Sequence, residues 1–219
     1  MTRIGLFGGT FDPIHFGHLR VAEELFYHLK LAQVLFIPAA QQPHKDIHGP
    51  VDFRHRLEML KLAIEDRPGF SASDIEKDLP RPSYTVNTIR ALKQKYAEEL
   101  IFMVGFDSFS QIKKWRGHQE LLALAPLAVF RRPGAEVDRT TLKTLLTEVV
   151  GAAPTWEPDL AAFSWPNRPL IYYYEGSSLY ISSTDLRARL ATGQSVRYLL
   201  PESVRQYLTQ EGLYAPKLK

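Results

Sequence analysis

The sequence has 219 residues, of which 45% are hydrophobic and 23% are charged, as in an ordinary globular protein. This composition excludes a disordered chain, and the absence of cysteine excludes a disulfide framework, a cysteine-ligated metal site and a cysteine nucleophile. The net charge of +3 suits an enzyme that binds anionic small molecules and is too small to indicate nucleic-acid binding. Since the sequence has neither a membrane-spanning apolar run nor a signal-peptide pattern, we expect a cytoplasmic protein without membrane contact.

Short apolar runs alternate with helix-like periods along the chain, and a strand, a helix and a second strand are predicted within the first 38 residues. This order implies a parallel sheet with a right-handed crossover. We therefore predict an α/β protein with a Rossmann-like open, mainly parallel sheet and helices on both faces. The predicted strands are 4–7, 33–38, 70–73, 100–104, 127–130 and 170–174, and the helices are 18–30, 53–64, 86–96, a stretch ending at 121–125, and 183–190.

We expect a single domain over residues 1–219. Segment 135–169 contains several prolines and has no clear period apart from a candidate helix at 140–150, so we interpret it as a peripheral excursion. The part from about residue 183 is predicted to be helical, with Gly212 at the end of the last helix.

The densest chemical signal is the segment 8–18, which lies between a predicted strand and a predicted helix. Gly8 and Gly9 allow a ligand to approach the backbone closely and expose its N–H groups. His15 and His18 are three residues apart, a spacing that places both imidazoles on one side if the loop already turns helically. Two imidazoles beside a helix N-terminus form a donor-rich patch that suits a polyphosphate.

Plainer explanations exist for each feature alone, because a glycine loop after a strand is usually a turn and a single histidine is usually structural. The glycine spacing matches neither a Walker loop nor the dinucleotide fingerprint. A zinc site formed by His15, His18 and Asp12 is an alternative, but the sequence offers no obvious further ligand.

A second constellation occupies residues 181–187. Its consecutive hydroxyl residues, Ser182 and Ser183, can cap a helix, and Asp185 suits the first helical turn. Arg187 is not explained by capping, because its side chain would point back toward the helix N-terminus and could there meet an anion.

The first segment resembles the GGTFDPxHxGH signature of the nucleotidyltransferase superfamily with the HxGH motif, and the second resembles its ISSTxIR signature. Within the superfamily, the chain is most similar to the bacterial nicotinate-nucleotide adenylyltransferases. Further segments that match this family are 43–45, 54–59, 82–85, 105–107 with Trp115, and 132–134.

The resemblance implies transfer of AMP from ATP to nicotinate mononucleotide, giving nicotinate adenine dinucleotide and pyrophosphate in NAD biosynthesis. It implies in-line attack by the mononucleotide phosphate without a covalent intermediate, with Mg²⁺ bound together with ATP and no metal site of the protein's own. The implied catalytic residues are His15, His18, Lys45 and Arg187. The implied ATP-binding residues are Gly8, Gly9, Thr10, Phe11, His15, His18, Gly105, Asp107, Arg132, Ser182, Ser183 and Arg187, and the implied acceptor-binding residues are Lys45, Tyr84, Thr85 and Trp115.

Other interpretations stay open at this stage. Pantetheine-phosphate adenylyltransferases are related but generally carry TxGH, where this chain has His15. A preference for nicotinamide mononucleotide, or a nucleotide sensor without turnover, would fit much of the same pattern. Nucleic-acid binding has no support from a basic cluster interleaved with aromatic residues. The sequence also leaves open whether the chain forms a homo-oligomer.

Overall fold

A computed structural model describes residues 2–41, 51–131, 138–177 and 179–216. None of the helices in these ranges is both long and apolar enough to cross a membrane. The strands are β1 (Arg3–Gly9), β2 (Gln33–Pro38), β3 (Phe70–Ala72), β4 (Glu99–Gly105), β5 (Leu127–Phe130), β6 (Thr155–Glu157), β7 (Ala162–Ser164) and β8 (Ile171–Tyr174). The α-helices are α1 (Phe16–His28), α2 (Phe53–Ile64), α3 (Thr85–Lys95), α4 (Phe106–Phe109), α5 (His118–Leu124), α6 (Arg139–Val150), α7 (Ser183–Ala191) and α8 (Glu202–Gln210).

All described strands belong to one sheet with the order β3-β2-β1-β4-β5-β8-β7-β6. The six strands from β3 to β8 in this order pair in parallel, which confirms the predicted Rossmann-like sheet. The order reverses between β1 and β4, because the chain first builds outward through β2 and β3 and then returns to the other side of β1. Ligands of open α/β sheets bind at such a reversal, outside the carboxyl ends of the strands.

Successive residues of the central strands face opposite sides of the sheet, as the period of two requires. Leu100 and Phe102 of β4 belong to a core cluster with residues of α3, α5 and α6, whereas Ile101 and Met103 belong to a second cluster with residues of α1, α2, α7 and α8. The sheet is therefore covered by helices on both faces, as predicted.

The described part of segment 135–169 forms α6 and the two short strands β6 and β7. The candidate helix at 140–150 is confirmed, but the two strands, of three residues each, were not predicted, because the proline-containing segment around them shows no clear period. Both pair antiparallel, and Trp156 and Phe163 face each other across them with ring centroids 4.9 Å apart. The sheet is therefore mixed at this edge.

A half-buried carboxylate, that of Glu24, links α1 to the chain that follows β8. Glu24 accepts hydrogen bonds from Arg20 Nε (2.6 Å) and from the backbone N–H of Ser177 (2.9 Å), and the Tyr174 hydroxyl lies 3.3 Å away. Gly176 passes so close to Glu24 and Tyr174 that a Cβ there would collide with both. Burial raises the pKa of Glu24, but the hydrogen bonds from Ser177 and the charge of Arg20 outweigh it, so the pKa lies below the ordinary 4.5.

We expect Glu24→Gln to lower the free energy of unfolding at pH 7 by about 1 kcal/mol, because charge-assisted hydrogen bonds are lost. A lowered folded-state pKa gives stability that is present above the unfolded pKa and disappears as the pH falls through the folded pKa. The difference between wild type and variant should therefore shrink below about pH 4 in urea titrations. Glu65→Gln, which alters an exposed carboxylate at the end of α2, is the control, and an equal difference at pH 3 and pH 7 would contradict the prediction.

Candidate active site

Two adjoining depressions lie at the carboxyl ends of β1 and β4. The first, which we call the histidine cleft, has a volume of about 720 Å³ and is lined by residues 7–12, His15, His18 and residues 179–185 with Arg187. The second, the tryptophan pocket, has a volume of about 470 Å³ and is lined by Tyr84, Thr85 and Trp115 among others. Gly8, Gly9 and Asp107 line both, so molecules bound in the two would meet above the end of β1.

The loop after β1 orients two imidazoles into the cleft. His15 is the N-cap of α1, and its Nδ1 accepts a hydrogen bond from the Gly17 N–H at 3.1 Å. This bond assigns the proton of a neutral His15 to Nε2, which can then donate to a ligand. The ring of His18 lies against the ring of His15, with centroids 3.7 Å apart. Capping by His15 also explains why α1 begins at Phe16, two residues before the predicted start.

Close packing accounts for two glycines of this loop. The Phe11 ring lies over Gly9, where a Cβ would be only 2.9 Å from Phe11 Cζ. Phe11 has a φ of +51° and packs edge-on against His18 at 5.2 Å. A Cβ on Gly17 would lie 3.0 Å from the His15 ring. Gly9 thus leaves room for the Phe11 ring that packs against His18, and Gly17 leaves room for the His15 imidazole.

The second sequence motif lies opposite this loop. The Ser182 hydroxyl caps α7 by accepting from the Asp185 N–H (3.1 Å), and the Ser183 hydroxyl donates to the Pro13 carbonyl (2.9 Å). Helix α7 begins at Ser183, as predicted. The Arg187 guanidinium points back along the helix and donates from Nη2 to the Thr184 hydroxyl (3.3 Å).

Arg187 joins the two motifs. Its Nη1 donates to the carbonyl of Asp12 at 2.6 Å and lies 3.4 Å from the Asp12 carboxylate. Asp12 as a whole is only 5% exposed, and its carboxylate also accepts from the Val51 N–H (3.3 Å) and from the Tyr214 hydroxyl. The Asp12 carboxylate is therefore engaged by hydrogen bonds and an ion pair within the protein, which argues against the zinc alternative.

A buried arginine, which the family resemblance matched within segment 54–59 but to which no role was assigned, supports the loop after β1. Arg56 is 2% exposed and donates to three backbone carbonyls, those of Val51 (3.0 Å), Thr10 (2.9 Å) and Ala39 (2.8 Å). Burial lowers the pKa of its guanidinium, and the negative charge of Asp12 opposes this shift. A signal was present: Arg56 lies three residues after Phe53 and four before Leu60, on the apolar face of α2.

The tryptophan pocket combines aromatic faces with a helix N-terminus. Trp115 packs edge-on against Phe102, with ring centroids 6.3 Å apart. The Arg116 guanidinium covers the ring of Tyr84 at 5.1 Å. Tyr84 is the N-cap residue of α3, so the first backbone N–H groups of that helix, beginning at Thr85, lie at the pocket.

A second buried acidic residue, also not predicted, lines this pocket. Glu76 is 8% exposed and accepts from the Ala40 N–H (3.1 Å) and from the Thr88 hydroxyl (2.7 Å). These bonds fix α3 relative to the end of β2. Glu76 therefore helps to hold the wall on which Tyr84 and Thr85 lie.

The predicted site residues separate between the two depressions. Trp115, Tyr84, Thr85 and Gly105 line the tryptophan pocket, and Asp107 lines both. Gly105 was predicted on the ATP side and thus lies on the other side of the shared edge. Lys45 and Arg132 fall outside the described residues. The predicted site residues that line the histidine cleft are Gly8, Gly9, Thr10, Phe11, His15, His18, Ser182, Ser183 and Arg187.

The described residues contain no group of three or more histidine or acidic side chains that could hold a metal ion. What the cleft offers is imidazole, amide, hydroxyl and guanidinium donors, which suit the oxygens of a phosphate chain rather than a bare cation.

The family model described as Cytidylyltransferase-like matches residues 6–189, which is most of the chain and includes both motifs. The fold and the cleft thus define a nucleotidyltransferase of this family. Such enzymes generally use a divalent metal ion together with the nucleotide.

Relatives that are similar over nearly the whole chain identify the family within the nucleotidyltransferases. The chain is 39% identical to the probable nicotinate-nucleotide adenylyltransferase of Citrifermentans bemidjiense over 97% of this chain and 98% of that protein. It is 40% identical to the corresponding protein of Geobacter sulfurreducens, with the same coverage. The solved structure of Plasmodium falciparum nicotinic acid mononucleotide adenylyltransferase complexed with NaAD has a TM-score of 0.76 at 18% identity, covers 98% of both chains and shares the fold. The chain belongs to the nicotinate-nucleotide adenylyltransferase family.

We expect Arg56→Met to lower the free energy of unfolding by about 3 kcal/mol, because three backbone carbonyls lose a cationic donor and the buried Asp12 carboxylate loses a nearby positive charge. Arg54→Met, two residues earlier on the exposed side of α2, should change it by less than about 0.5 kcal/mol. Chemical denaturation of both variants measures the difference. Similar stability of the two would show that Arg56 does not support the loop.

Proposed function

We propose that this chain transfers AMP from ATP to nicotinate mononucleotide, releasing pyrophosphate and forming nicotinate adenine dinucleotide in NAD biosynthesis. The observation that carries the proposal is the meeting of segments 8–18 and 181–187 in one cleft that shares an edge with a second pocket. Such a pair of sites can hold two nucleotides with their phosphates facing each other. The names of the relatives support this choice of substrates.

The reaction requires alignment and charge neutralisation more than a reactive side chain. The acceptor's own phosphate is an anion near neutral pH and attacks the α-phosphorus of ATP in line as the bond to the pyrophosphate breaks. No protein nucleophile and no strong base are needed. Rigidly held donors at the reacting phosphate are therefore the main contribution of the protein.

We assign the ATP phosphates to the histidine cleft. Nε2 of His15 is a donor because Nδ1 is engaged by the Gly17 N–H, and His18, stacked on His15, is the donor to the α-phosphate as charge develops. Gly8, Gly9, Thr10 and Phe11 would present backbone and ring surface to the nucleotide.

We assign the leaving pyrophosphate to the start of α7. Arg187 carries the positive charge there, and the backbone at Ser182 and Ser183 adds donors at a helix N-terminus. Lys45 and Arg132, implied by the family resemblance, would add positive charge over the phosphates. Mg²⁺ is proposed to arrive with ATP, because magnesium prefers phosphate oxygens and water to an all-protein cage.

The tryptophan pocket would receive the acceptor. Trp115 offers a face for the pyridine ring, with Tyr84 beside it, and the first N–H groups of α3 at Thr85 can donate to the nicotinate carboxylate. An amide in place of the carboxylate would direct its own N–H groups at these donors and leave them unpaired. Asp107, at the shared edge, is suited to accept from ribose hydroxyls.

We expect faster pyrophosphate release with nicotinate mononucleotide than with nicotinamide mononucleotide, by about 10²-fold or more in kcat/KM. The physical reason is the unpaired donors that the amide would leave at the start of α3. A continuous pyrophosphate-release assay with each acceptor in turn measures the ratio. Equal or faster turnover of the amide substrate would refute the stated specificity, and no turnover with either would favour a nucleotide sensor.

His18→Ala should lower kcat by about 10²- to 10³-fold, the usual loss when a transition-state donor is removed. The ATP dissociation constant should rise far less, because His18 is proposed to act mainly on charge that develops during transfer. His28→Ala, at the opposite end of α1 and stacked on Tyr174 instead, is the matched control. Near-normal turnover of His18→Ala would remove His18 from this role.

A further inference from the structure

The C-terminal segment returns to the active-site loop by a defined helix ending. After α8, the Leu213 N–H donates to the Leu208 carbonyl (3.0 Å) and the Gly212 N–H donates to the Thr209 carbonyl (3.3 Å). These two bonds, with Gly212 at a φ of +60°, form a Schellman motif. Leu213 packs on the core, and the chain reverses so that Tyr214 reaches Asp12.

Tyr214 completes the set of partners around the Asp12 carboxylate. Its hydroxyl donates to Oδ1, the same oxygen that accepts from the Val51 N–H. Burial raises the pKa of the Tyr214 hydroxyl, and the hydrogen bond to the Asp12 carboxylate raises it further. The group is therefore a protonated donor throughout the neutral range.

We propose that Tyr214 is a positioning residue for the transfer reaction, acting on Arg187 through Asp12. The inference rests on the proposed role of Arg187 toward the pyrophosphate. It adds a residue that lies outside both sequence motifs, does not line the histidine cleft and would touch no substrate.

The physical reason is competition for the guanidinium. Arginine and a carboxylate prefer a bidentate pairing in which both carboxylate oxygens accept. In this protein Oδ1 is occupied by Tyr214 and Val51, and Arg187 contacts the carbonyl of Asp12 at 2.6 Å and only Oδ2 of the carboxylate at 3.4 Å. The guanidinium thus keeps N–H groups for an anion in the cleft. Without the hydroxyl, the carboxylate can rotate to pair with Arg187 and draw it from the pyrophosphate position.

The test is a double-mutant cycle with Tyr214→Phe and Arg187→Gln. Tyr214→Phe keeps the ring and should lower kcat by about tenfold, while the ATP dissociation constant stays within about twofold. In the reverse reaction, the KM for pyrophosphate should rise by about tenfold, a readout that a merely structural role would not move. In the Arg187→Gln background, Tyr214→Phe should have almost no further effect on kcat, because the group it positions is absent.

Tyr207→Phe is the matched control, because Tyr207 also lies in the C-terminal part but its hydroxyl bonds to His55 Nδ1 (2.8 Å), away from the cleft. Its kcat and its KM for pyrophosphate should equal those of the wild type. All variants are compared at a temperature at which circular dichroism shows them folded. If Tyr214→Phe does not fold, the same cycle is run with Tyr214→His, which keeps a ring and a hydrogen-bond donor. With Arg187 present, Tyr214→His should then keep a larger fraction of the wild-type kcat than Tyr214→Leu does.

Three outcomes would overturn the inference. If Tyr214→Phe has the kcat and the pyrophosphate KM of the wild type while Arg187→Gln is slow, the inference about Tyr214 is wrong and the proposed function stays intact. Losses that multiply in the double variant would place the effect of Tyr214 elsewhere than on Arg187. A wild-type rate for Arg187→Gln by itself would refute the proposed role of Arg187 and the inference with it.

Discussion

The contact between Arg187 and Asp12 is the interaction on which the candidate active site depends. The two residues are 175 positions apart in the chain, and the guanidinium of one meets both the backbone and the carboxylate of the other. Through this contact the loop after β1 and the start of α7 form opposite walls of one cleft. Either segment alone is a glycine turn or a capped helix, and only their junction forms the cleft that we propose for a polyanion.

The charges behind this junction are buried, so their partners determine whether they stabilise it. An unpaired buried ion costs several kcal/mol, whereas one with its hydrogen bonds complete is tolerated. Arg56 donates to three carbonyls and lies near the negative charge of Asp12. Asp12 in turn is surrounded by donors from three separate parts of the chain, Val51, Arg187 and Tyr214. The result is a loop whose shape is set before substrate arrives. The proposed reaction needs aligned phosphates and no protein nucleophile, so such prior order would be the main contribution of the protein to the rate.

The shared edge between the two depressions follows from the sheet topology. Because β1 and β4 are neighbours at the point where the strand order reverses, the loops after them separate and leave a crevice on each side of Gly8 and Gly9. One side has imidazoles and a guanidinium, and the other has Trp115 and the start of α3. This division matches a phosphate-rich donor on one side and an aromatic acceptor on the other.

The sequence by itself determined the parallel sheet, the places of nearly all helices and long strands, and the two motifs, because these depend on local period, glycine and capping residues. It also identified the family, since both signatures are contiguous. It could not reveal β6 and β7, which are short and lie in a proline-containing segment without a clear period, or the buried roles of Arg56, Glu76 and Tyr214. Those roles were decided only by the tertiary structure, because a polar side chain is recognised as a support only when the distant backbone groups that it satisfies are brought around it.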